Sequence, residues 1–266
     1  MMNLQEQNWT NLFGNHTLEN IAWHGTWTQY SPTQEVINTF QCVRKFRTNE
    51  EKTLIYHTNN YTYSDGSTEE KSWQLEKQTC NQPDGLVHIA IPSMRALSFG
   101  QGATVWLSKT LEPEKKFALE LFFLHNDWRT SIGIIYAENH DIERMTQIRE
   151  HLGSFTIEPP GSEVKEIAGQ WIGKKQYMTP DLTVSDAEPI PELILDPTKG
   201  INKTVFLPDG VVVNTPETVE IGKEFQIVAG RFVTHNIFKR LTAKYNILGN
   251  LELLISEVFE RQFENK

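Results

Sequence analysis

This chain repeats a set of sequence markers in the same order in its two halves. Trp23-His24-Gly25-Thr26-Trp27-Thr28-Gln29-Tyr30-Ser31-Pro32 is echoed by Ala168-Gly169-Gln170-Trp171, followed by Lys175-Gln176-Tyr177-Met178-Thr179-Pro180. Both read Gly-x-Trp, then Tyr, then Pro. Residues 102–117 match residues 210–225 at a constant offset with similar apolar placing. The apolar run from Phe117 to His125-Asn126 then resembles the run from Phe225 to His235-Asn236, and a basic residue follows in both, Arg129 and Lys239-Arg240. A unit repeated in this way fixes the architecture of both halves together. The second copy is shorter between its Trp171 and Arg240 than the first between Trp27 and Arg129.

A chain of 266 residues has room for two such units, each with its own core. Ile157-Glu158-Pro159-Pro160-Gly161-Ser162 combines residues that continue neither a ladder nor a helix, so the boundary is expected there. The units are then 1–158 and 162–266.

The local pattern within each unit is strand. Thr53–Thr58 and Tyr61–Tyr63 are rich in β-branched and aromatic residues, and Ser64-Asp65-Gly66-Ser67 is a hairpin turn before Trp73. Leu86–Ile91, between Asp84-Gly85 and Pro92, reads as a further strand, and Leu207-Pro208-Asp209-Gly210 as a turn before Val211. The segment Asp141–Leu152 places Ile142, Met145, Ile148 and Leu152 at helical spacing, but the repeat favours a strand, as it does for Leu251–Val258. A sheet that lacked this last strand would leave an open edge. One short helix is expected at Leu4–Phe13, with apolar Leu4, Trp9, Leu12 and Phe13.

With Gly25-Thr26-Trp27 and Gly169-Gln170-Trp171 in view, the sequence resembles the calycin superfamily, whose lipocalin members open their first strand with Gly-x-Trp. His24–Pro32, Asn59-Asn60-Tyr61 with Asp65-Gly66 and Lys71-Ser72-Trp73, and Leu207-Pro208-Asp209-Gly210 look like a cyanobacterial and plastid lipocalin-like family of unknown function. The resemblance implies an all-β protein of two tandem antiparallel barrels with a short N-terminal helix, and no activity. It also implies a structural floor in each barrel, in which the Gly-x-Trp tryptophan packs against a late arginine: Trp27 with Arg129, and Trp171 with Arg240. A guanidinium over an indole face is worth ~1 kcal/mol.

Charge and motif content exclude several function classes. The net charge of −9 and estimated pI of 5.4 repel phosphate backbones, so no nucleic-acid partner is expected. The apolar stretches are too short for a membrane-spanning helix, and Met1–Glu6 carries neither a basic leader nor an apolar core, which suggests a cytoplasmic protein. Cys42 and Cys80 receive no role. The histidines show no metal-ligand spacing, His125-Asn126 and His235-Asn236 read as turns, and Glu69, Glu70, Glu112, Glu114 and Glu158 read as surface carboxylates. No metal or cofactor is expected.

The remaining signal is aromatic: 14 Phe, 7 Trp and 7 Tyr are enough to line an apolar cup as well as to fill a core, which takes most of them. They suggest a small hydrophobic ligand, a pigment, isoprenoid or acyl lipid, held in the larger first barrel and lined by Tyr56, Trp73, Trp106 and Phe122. The alternatives are a chromophore lyase or isomerase/cyclase, and a protein-interaction module with filled barrels. Oligomeric state is not legible.

Overall fold

The computed structural model describes residues 3–156, 167 and 169–262, so the expected linker around Pro159-Pro160-Gly161 lies outside the described residues. The chain divides into two compact units, and its strands into two antiparallel sheets.

The first unit opens with α1 (Leu4–Phe13), at the bounds expected from sequence. Asn3 caps it, its Oδ1 accepting from the Glu6 N–H at 2.7 Å, and the Gly14 N–H closes it onto the Thr10 carbonyl. Then come β1 (Ile21–Tyr30), β2 (Val36–Thr48), β3 (Leu54–Thr62), β4 (Thr68–Glu76), α2 (Lys77–Cys80), β5 (Asn81–Gln82), β6 (Gly85–Val87), β7 (Met94–Gly100), β8 (Ala103–Ser108), β9 (Phe117–His125), β10 (Trp128–Tyr136) and β11 (Ile142–Leu152). Their order is β4-β3-β2-β1-β11-β10-β9-β8-β7-β6-β5, a meander whose first strand pairs with its last. The strand reading of 141–152 therefore holds. The expected strand at Leu86–Ile91 stops at Val87, because the Ile91 N–H turns back onto both the carbonyl and Nδ1 of His88.

The sheet is nearly closed, with more strands than the eight of a lipocalin barrel. A helix rather than a strand mends the weak place. Beyond Ala96, β7 has outrun the short β6, and α1 supplies the missing partners: Asn8 Nδ2 donates to Ala96 O (3.1 Å), Ser98 N donates to Asn8 Oδ1 (2.9 Å), and Asn11 Nδ2 donates to Ser98 O (2.8 Å). The same helix buries Trp9 and Phe13 against Ile55, Leu75, Leu86 and Ala96, residues of β3, β4, β6 and β7.

The second unit holds β12 (Gln170–Met178), β13 (Glu188–Ile190), β14 (Lys203–Leu207), β15 (Val211–Thr215), β16 (Phe225–Thr234), β17 (Ile237–Tyr245) and β18 (Leu251–Gln262). Their order is β13-β12-β18-β17-β16-β15-β14, again with the first long strand on the last. Residues 110–117 and 136–142 belong to this unit too. Within it Leu111 N donates to Gly249 O, Ile142 N donates to Glu217 O, and the rings of Phe225 and Tyr245 stack at 4.8 Å.

Candidate functional site

Alternation along a strand sends every second side chain to one face. In the first unit the register puts Trp23, Gly25 and Trp27 of β1 beside Arg44, Cys42 and Phe40 of β2 and, on the other side, Leu152, Glu150 and Ile148 of β11. Farther round, Phe46 faces His57, and His57 faces Trp73, while Trp106 of β8 faces Glu120 of β9. These residues share the concave face, because Arg44 Nη2 reaches Glu120 Oε1 at 3.2 Å although β2 and β9 stand four places apart in the sheet.

The centre of that face is charged. Arg44 Nε lies 3.1 Å from Glu150 Oε1, Arg129 Nε donates to Glu150 Oε2 at 2.7 Å, and Ser131 Oγ donates to Glu120 Oε1 at 2.6 Å. Two guanidinium groups and two carboxylates thus neutralise one another around a fully buried Glu150. Gly25 is what admits that carboxylate: a Cβ there would meet Glu150 Cγ at 2.5 Å. Arg44, Glu120 and Glu150 sit in no motif that marks them in the sequence. The one signal for Glu120 was a lone acid inside the apolar run from Phe117 to Leu124.

Aromatic rings wall this centre. The Arg44 guanidinium carbon lies 4.4 Å from the Trp27 ring centroid, and that of Arg129 lies 4.5 Å from Trp23. The expected pairing of Trp27 with Arg129 is thereby corrected: Arg129, bound to Glu150 opposite Gly25, turns to Trp23 on one side of that glycine, and Arg44 takes Trp27 on the other. Phe122 lies under both arginines, 6.0 Å from Arg44 and 5.8 Å from Arg129. Trp73 packs on His57 at 5.0 Å, and Trp106 meets His88 edge-on at 4.9 Å. Three of the four expected lining residues are therefore on the inner face. Tyr56 is not: it alternates with Ile55 and His57 and lies on the outer face under the Arg47 guanidinium, 3.8 Å away.

Burial sets the protonation states. Desolvation, helped by the nearby Arg44, depresses the His57 imidazole to about 3, so it is neutral at physiological pH. Its Nε2 lies 2.7 Å from Asn59 Oδ1, and Asn59 Nδ2 donates to the Tyr61 hydroxyl at 2.8 Å. Burial raises the Tyr61 phenol and pushes the Cys42 thiol up to about 12, leaving both protonated. Burial alone would lower Arg44, but Glu150 and Glu120 outweigh it and hold the guanidinium charged.

The inner face of the second unit is packed. Trp171, Val212, Phe238 and Phe259 form one cluster with Leu193, joined by Leu195, Phe206 and Phe232. Arg240 is bidentate to Glu257, lies 5.2 Å from the Phe259 ring, and donates from Nη1 to the Ile194 carbonyl at 2.6 Å. Trp171 packs edge-on against Phe232 at 5.7 Å. Of the remaining sequence candidates, His125 ends β9 and His235 sits in the turn between β16 and β17, as expected. Glu69, Glu70, Glu112 and Glu114 are exposed or at the surface rim, Glu158 lies outside the described residues, and Cys42 and Cys80 are buried free thiols. No cluster of three or more metal-ligating side chains occurs among the described residues.

Residues 5–155, from α1 through β11, match the N-terminal domain of the family described as DUF3598, a domain of unknown function. The chain belongs to this family. A crystal structure of a DUF3598 protein of unknown function from Nostoc punctiforme PCC 73102 overlays with a TM-score of 0.72 at 18% identity, covering 96% of this chain and 99% of that one. The fold is therefore shared along nearly the whole length. Rv2717c from M. tuberculosis, at 10% identity and covering 99% of this chain and 100% of that one, overlays with a TM-score of only 0.20. No functionally curated protein matches the chain. Among the described residues no helix is long and apolar enough to cross a membrane.

Proposed function

We propose that the DUF3598 domain carries a small hydrophobic molecule, of the size of a pigment, isoprenoid or acyl lipid, within its first barrel. One observation carries this reading. The inward Trp23, Trp27, Phe46, His57, Tyr61, Trp73 and Trp106 are only half-buried, although Ile55, Leu75, Leu86 and Ala96 on the same face are buried beneath α1. A completely filled barrel would bury these rings as well, because its inward side chains lose their accessible surface first. Aromatic faces left accessible on a concave surface suit an apolar guest.

Carriage fits better than turnover. His57, Tyr61 and Cys42 each keep one protonation state across the physiological range, whereas a general acid or base works best with a pKa near the operating pH. The matching strand orders support reading the two units as tandem calycin-like barrels, of which the packed second serves as scaffold or docking partner. The test is native mass spectrometry of the full chain exposed to a total lipid and pigment extract. A discrete adduct lost on denaturation is expected, and a folded protein that never acquires one would overturn the proposal.

A further inference from the structure

We infer that the guest is an electrically neutral molecule bearing a hydrogen-bond acceptor, such as an ester or ketone carbonyl on an apolar body, and not a free carboxylic acid. This rests on the carriage reading above and names the chemistry of the same site.

The first argument is charge balance. The inward-facing charges at the centre are Arg44, Arg129, Glu120 and Glu150, and they compensate one another through the contacts at 3.2, 3.1 and 2.7 Å. Toward the rim, Lys71 is matched by Glu69 at 3.1 Å, and Arg144 by Glu143 at 3.0 Å. Both arginines are thus already engaged with carboxylates. A guest carboxylate would enter as a surplus negative charge beside Glu120 and Glu150, and an uncompensated charge in a poorly solvated interior is strongly disfavoured. A neutral guest meets no such penalty.

The second argument is a local excess of donors. Trp27 Nε1 and Arg129 Nη2 are buried and have no hydrogen-bond partner among the described residues. The Tyr61 hydroxyl accepts from Asn59, which leaves its own proton to be given, and burial keeps that proton in place. Trp27 and Tyr61 meet edge to face at 5.7 Å, and Arg44, which lies over Trp27, is joined to Arg129 through Glu150. A buried donor without an acceptor is costly, and a carbonyl oxygen that accepts from one of these relieves it without adding charge.

The experiment compares dodecanoic acid, its methyl ester and dodecane at neutral pH, each by quenching of the tryptophan emission of the full chain. The ester is expected to bind at least tenfold tighter than the ionised acid and severalfold tighter than dodecane. In Glu150→Gln the surplus becomes positive, and the acid is expected to gain at least tenfold relative to the ester. Trp27→Phe keeps the ring and removes one donor, so it tests the proposal even should Glu150→Gln fail to fold: the ester should lose its advantage over dodecane while dodecane binding stays unchanged. An acid that binds as well as the ester, or an acid-to-ester ratio unmoved in folded Glu150→Gln, overturns the inference and leaves carriage standing. Dodecane binding as tightly as the ester removes the acceptor requirement alone. A folded wild-type chain that binds none of the three overturns the carriage reading and this inference with it.

Discussion

Individual residues here act mainly by what they let a neighbour do. Gly25 has no side chain at the point where Glu150 enters the barrel, and the ion pairs to Arg44 and Arg129 depend on that space. Gly25→Ala is therefore expected to cost ~1–3 kcal/mol from overpacking, read as a lower urea midpoint with an unchanged slope. His57 makes stability depend on pH. Its folded pKa, about 3, lies below the ordinary 6.5, so the unfolded chain takes up a proton that the folded chain refuses. The contribution is complete above the ordinary value and is lost as the pH falls through this window, by at most ~1.4 kcal/mol per pH unit. Denaturation of the wild type and His57→Gln at a series of pH values checks this: the wild type should weaken more steeply on acidification. Equal slopes would contradict it. Side-chain partners are set by contacts that lie far apart in sequence. Trp27 and Arg129 both reach the inner face, yet each finds a different partner, and Tyr56 falls on the wrong side of its strand by a single residue.

At the scale of elements, α1 serves as a piece of the sheet. Its apolar Leu4, Trp9, Leu12 and Phe13 made it legible, and its bounds are set by local events, Asn3 capping one end and Gly14 closing the other. Its role was not legible, because Asn8 and Asn11 act on β7, far along the chain. Asn8→Ala removes the partners of one buried carbonyl and one buried N–H, so a loss of ~2–4 kcal/mol is expected, seen by calorimetry as a lower Tm. A Tm equal to that of the wild type would show that α1 merely rests on the sheet. β11 shows the opposite case: its helical spacing of apolar residues is overridden because each of its edges has a strand to pair with, β1 and β10.

For the whole molecule, two sheets of matching order have interiors of different character. The first unit gathers charges walled by half-buried rings, while the second is packed by Phe238, Phe259, Trp171 and the segment carrying Leu193 and Leu195. Loading should therefore saturate at one guest per chain, and native mass spectrometry under excess ligand counts it directly. Two adducts per chain would show that the second interior also opens.

Short stretches of the chain are enough to specify the strand segments, the turns at Gly66 and Gly210, the bounds of α1, and the preponderance of aromatic residues in the first half. Each follows from the preferences of a few neighbouring residues. Tertiary structure alone decided which alternate residues of each strand face inward, and which charges meet there. Arg44, Glu120 and Glu150 come from β2, β9 and β11, and they touch only because the sheet curls until distant strands face one another. That curl comes from the accumulated twist and closure of the whole sheet, so no short window of sequence encodes it.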